Sequence, residues 1–180
     1  MPHEGTCGET RLTRDWKLLR RRVGAYLLDI GVLFAALGPS GWLVQRLLGW
    51  APTSGLQIWW TLLVNFSVPA WLYFTIADAS SKGATLGKRW LRLRVSRQDG
   101  GRVVPMQALC RTAAKLLPWE LVHVSAFALE EQPGDLSIVQ GVGLAFANAL
   151  MLAYLSCAAL TRGRRSIHDY VAGTVVGVAD

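Results

Sequence analysis

Charge is scarce in this sequence, and acid scarcer still. Only 17% of the 180 residues are Asp, Glu, Lys or Arg, and 12 are acidic. A soluble domain usually carries about a quarter charged residues, so a large soluble domain is excluded. There are three cysteines, Cys7, Cys110 and Cys157, with no CxxC spacing. That excludes a disulfide framework, and the thiols are expected to be reduced. No Ser/His/Asp, metal-ligand or phosphate-loop constellation occurs, so an enzyme, a metal and a cofactor are not expected. Residues 1–22 hold no apolar segment ahead of a small-residue cleavage site. No cleavable leader is expected, and the first apolar run should serve as its own anchor.

Apolar runs stand where the charge is missing. The chain is 52% hydrophobic with eight Trp. One run extends from Val23 to about Trp50, with Pro39 expected to kink it or end its first part. The next covers Leu56 to about Ala77 and has Trp59 and Trp60 as interface anchors. The last spans Leu136 to Leu160. Each reaches the ~20 helical residues that a bilayer core requires.

The segment 105–129 is the ambiguous one. Gln107, Arg111 and Lys115 make a polar stripe against Met106, Leu109, Ala113 and Leu116. Its first part reads as an interfacial amphipathic helix, interrupted by Pro118. Taken whole, it is long enough to cross.

Basic residues decide the topology. They cluster in 11–22, 82–102 and 162–165, with Arg111 and Lys115 besides, while the linker EEQPGD has three acids and no base. Four crossings put every basic cluster on one side, and the positive-inside rule makes that side cytoplasmic. The expected fold is an all-α membrane protein, a bundle of about four transmembrane helices in a bacterial inner membrane, with both termini cytoplasmic. Residues 1–22 form a basic tail and 23–176 the transmembrane domain. Leu91, Leu93 and Val95 alternate with Arg92, Arg94 and Ser96 ahead of Asp99-Gly100-Gly101. This predicts a short basic β-hairpin on anionic lipid headgroups. The placement of the net charge of +7 argues against nucleic acid.

Several residues stand out against this background. Asp29 lies seven residues into the first run, about 10 Å deep, where an ionised carboxylate must be paired, hydrated or protonated. Arg22 is on the same helix face. Asp78, His168 and Asp169 are the partners expected near the same interface, as an ion-pair cluster or a proton or cation pathway. Glu120 and His123, at i and i+3, form a second polar pair. One such pair falls short of a di-iron set. Gly141, Ala145, Ala149 and Ala153 place a small residue at every fourth position, a packing seam within the chain or between copies of a homo-oligomer.

Three blocks together resemble the RDD family. Arg22 and Asp29 in RRVGAYLLD match the family's Arg and first Asp. GATLGKRWLRLRV, DGGRVV and Arg111 resemble its Gly-Lys segment, and Asp169 in RRSIHDYVAGTVV matches its second Asp. The resemblance does not imply an enzyme. It implies transport of an unidentified ligand, such as sodium/proton exchange, or alternatively a non-catalytic scaffold role beside a membrane-protein partner.

Overall fold

The computed structural model describes residues 7–129 and 137–179, with side chains from Trp16 onward. The EEQPGD linker lies outside the described residues. Helix α1 runs from Cys7 to Leu48. It starts inside the segment expected as a tail and continues through Pro39, so Pro39 does not end its first part. The second helical run comprises α2 (Gly55–Leu62), a wide turn at Leu63–Ser67 and α3 (Val68–Ala79). Pro69 explains the wide turn: its ring crowds the preceding turn, and one extra residue relieves the clash.

Short elements follow: α4 (Leu86–Trp90) and strand β1 (Leu93–Arg97). Helix α5 spans Pro105–His123 and continues as a wide turn to Ala128. Helix α6 covers Ile138–Leu160, α7 covers Ile167–Ala172 and strand β2 covers Thr174–Val178.

Among the described residues, three helices are long and apolar enough to cross a membrane: Trp16–Leu48, Gly55–Ala79 and Ile138–Leu160. Their outer faces show Leu47, Ile76 and Leu152 at 77%, 66% and 63% exposure, an apolar surface that lipid can cover. The Leu18–Asp29 part of α1 and the end of α3 each meet α4 and the strands. The start of α5 meets α7 and the strands, and α6 meets α7. Helices α4 and α7 and the strands form a cap on one end of the bundle.

Two expectations need correction. Strand β1 does not fold back on residues 102–104. It pairs antiparallel with β2, with Val95 opposite Val176. Only three residues separate Gly101 from Pro105, too few for a return strand, whereas Thr174–Val178 is rich in β-branched residues. The alternation itself is real: Leu93 and Val95 are buried with Ala25, Val103, Ala108 and Val176.

The polar stripe of α5 is also inverted relative to an interfacial helix. Arg111 is 2% exposed, while Met106 and Leu109 face outward at 67% and 42%. A helix among apolar surroundings puts its polar side inside. Pro118 does not interrupt α5 either. Lacking an N–H, it frees the carbonyl of Ala114, and the Tyr154 hydroxyl from α6 donates to that carbonyl at 2.7 Å.

Candidate functional site

Beneath the cap lies a charged chain that ties five elements together. Asp169 sits on α7, third in a capping box with Ser166, so the helix start itself aims the carboxylate inward. Its Oδ1 accepts from Arg111 Nε and Nη2 at 3.0 and 2.9 Å and from the Thr174 hydroxyl at 3.2 Å. Its Oδ2 accepts from Arg22 and from the Ser166 amide. Arg111 also reaches Asp78 at the end of α3, and Asp78 accepts from Lys88 of α4. The order is Arg22–Asp169–Arg111–Asp78–Lys88, with Asp78, Arg111, Lys88 and Asp169 all buried. One planar guanidinium serving two carboxylates is geometry that only arginine supplies.

Asp29 is held differently. It forms no ion pair with Arg22. The hydroxyls of Tyr73 and Thr85 donate to it at 2.7 and 2.6 Å, and the Gly87 amide donates at 2.8 Å. Thr85 is the N-cap of α4, and its oxygen also accepts from the Lys88 amide. A Cβ on Gly87 would collide with the Ala25 carbonyl, so glycine is what lets α4 lie against α1. The expected cluster is therefore only partly joined. Arg22, His168 and Asp169 come together, and Arg111 links them to Asp78. Asp29 is a separate three-donor site.

Glu120 and His123 each have other neighbours as well. Glu120 accepts from Ser67 and Trp71, each at 3.2 Å, while the His123 ring packs edge-on to Trp119. Among the described residues no group of three His, Cys, Asp or Glu could hold a metal. On α6, Ala145, Ala149 and Ala153 are exposed and Gly141 is half-buried. The face packed within the chain is one step round, with Ala147 and Ala158 buried and a Cβ on Gly143 colliding with Ser125.

Sequence reasoning missed Lys88, Tyr73 and Thr85 as site residues and put Arg111 and Lys115 on the wrong side. Their signals were the Thr85-Leu86-Gly87-Lys88 run and two cations, 111 and 115, one turn apart in an apolar bundle.

Charges in the cap are firmly set. Burial alone would raise the Asp169 carboxyl, but Arg111 and Arg22 beside it outweigh burial and hold it well below the usual carboxylate range. Burial lowers Lys88 to about 8, against the pull of Asp78. Burial also keeps the His168 ring neutral, well below its ordinary value.

Asp169 takes up its proton at lower pH when folded than when unfolded. Its stabilisation is therefore complete above its unfolded value of about 3.9 and is lost as pH falls below that. Thermal stability in detergent is expected to drop progressively as pH falls below about 4, and less steeply for Asp169→Asn. A parent profile parallel to that of Asp169→Asn contradicts this.

No curated protein and no solved structure matches the chain. A family model described as the RDD family matches residues 17–173, a stretch holding Arg22, Asp29 and Asp169. A helical membrane protein with an Arg–Asp clasp under its cap, matched over most of its length, the chain belongs to the RDD family.

Proposed function

We propose that the chain is a non-catalytic assembly or scaffold subunit of a bacterial cytoplasmic membrane. In this reading α5 makes a fourth crossing and both ends face the cytoplasm. The single observation supporting it is saturation: Asp78 and Asp169 are each shared between two cations, and Asp29 is filled by three neutral donors. A carboxylate that carries protons or cations must release its partners during each cycle. Removing the partner from a buried ion pair costs about 3–5 kcal/mol, too much for a routine step. The clasp instead fixes the cap to the bundle. The outward stripe of Ala145, Ala149 and Ala153 offers a close-packing face to another membrane helix.

The rival reading is cation/proton exchange through Asp29. Purified protein in proteoliposomes is expected to pass Na+ and H+ no faster than empty liposomes at any pH. A pH-dependent flux that folded Asp29→Asn protein lacks overturns the scaffold reading and restores the exchanger.

A further inference from the structure

A cavity of about 200 Å³ lies beside the clasp and is not accounted for by it. Helix α1 packs on α4 and on the wide turn of the second helical run, while α6 packs on α5 and α7. The cavity occupies the gap between α1 and α6. Its mouth carries Val23, Met151 and Leu155, which are 40%, 44% and 51% exposed on faces of two membrane-crossing helices. Arg22, Lys88, Arg111, Lys115 and Asp29 also line it.

The charges around the cavity do not balance. Four cations meet three carboxylates, Asp29, Asp78 and Asp169, and Glu120 is turned away to Ser67 and Trp71. The cation left over is Lys115. Its ammonium makes no ion pair among the described residues and rests over the Phe74 ring at 3.3 Å and the Tyr26 ring at 4.8 Å. Aromatic faces soften the cost of a desolvated ammonium but leave its donors unused.

A second unused donor is nearby. Arg22 can only donate, so the neutral His168 ring accepts from it through Nε2 and carries its hydrogen on Nδ1. His168 is 9% exposed and lines the cavity with its ring, while its Nδ1 is itself buried and has no partner.

We propose that this cavity binds the head group of an anionic membrane lipid, with Lys115 donating to the anionic oxygens. Basic pockets between membrane helices suit such head groups. The volume, at roughly 30 Å³ per water-sized group, holds a phosphate and only the first few groups attached to it. The rest of the lipid must leave through the mouth. That mouth is apolar and opens sideways, which suits an acyl chain and not a free anion. This goes beyond the scaffold role, since a clasp needs no ligand.

Native mass spectrometry of the full chain in neutral detergent tests it, using phosphatidylglycerol and phosphatidylcholine of identical chains, and inorganic phosphate. One phosphatidylglycerol should bind at least about tenfold more tightly than phosphatidylcholine. Lys115→Gln should weaken it by about tenfold, and Met151→Trp, which fills the mouth without touching the charges, should weaken it comparably. Equal binding of the two lipids overturns the proposal, as does undiminished binding by folded Lys115→Gln. Should Lys115→Gln fail to fold, Met151→Trp decides, and full binding by that variant overturns it. Phosphate bound as tightly as the lipid, and unaffected by Met151→Trp, assigns a free anion and overturns the lipid assignment.

Discussion

Arg111→Ala is expected to destabilise the protein by about 3–5 kcal/mol, enough to leave little folded material. Arg111 is the one residue in the clasp that touches two carboxylates, Asp78 through Nη1 and Asp169 through Nε and Nη2. It is 2% exposed. Deleting it leaves Asp78 to Lys88 alone and Asp169 to Arg22 alone, in place of two cations each. It also uncouples α5 from both α3 and α7. Arg111→Lys should recover only part of the loss, because one ammonium cannot bridge two carboxylates in a fixed fork. Yield of monodisperse protein in detergent and its thermal midpoint measure the effect. An Arg111→Ala midpoint close to that of the parent contradicts the clasp.

Gly87→Val should be nearly as damaging, although it alters no charge. The added Cβ meets the backbone carbonyl of Ala25, which has no rotamer in which to yield. Helix α4 must therefore retreat from α1. The retreat takes the Gly87 amide and the Thr85 hydroxyl away from Asp29, leaving only Tyr73 of its three donors. Overpacking and an underbonded buried carboxylate together cost roughly 2–5 kcal/mol. Gly177→Ala is the control, because nothing lies within 4 Å of a Cβ placed there. It should change stability by less than about 0.5 kcal/mol. Equal midpoints for the two variants would remove the close approach of α4 and α1 from the account.

The sequence disclosed the membrane-crossing runs because length and apolarity alone mark them. It disclosed Arg22 with Asp169 because buried charges seek partners. It misplaced the hairpin because alternation in Leu93–Ser96 names a strand but not its mate. That mate lies some eighty residues on, in the short Thr174–Val178 segment. Arg111 was misread for a related reason. A polar stripe on a helix points to water in a soluble context and inward among lipids, and periodicity cannot say which. Asp29 was expected to be paired, hydrated or protonated, beside Arg22 and near Asp78, His168 and Asp169. Its actual partners are two hydroxyls and an amide, which no charge pattern displays. The Gly87–Ala25 contact was likewise invisible, being an approach of two backbones.

The account stands on Arg22 and Asp169 being coupled across the junction of bundle and cap. A double-mutant cycle with Arg22→Ala, Asp169→Ala and the double variant, read as unfolding free energy in detergent, tests that directly. The predicted coupling is about 0.5–3 kcal/mol, with the double variant less damaged than the sum of the two single ones. Strictly additive losses would contradict the clasp.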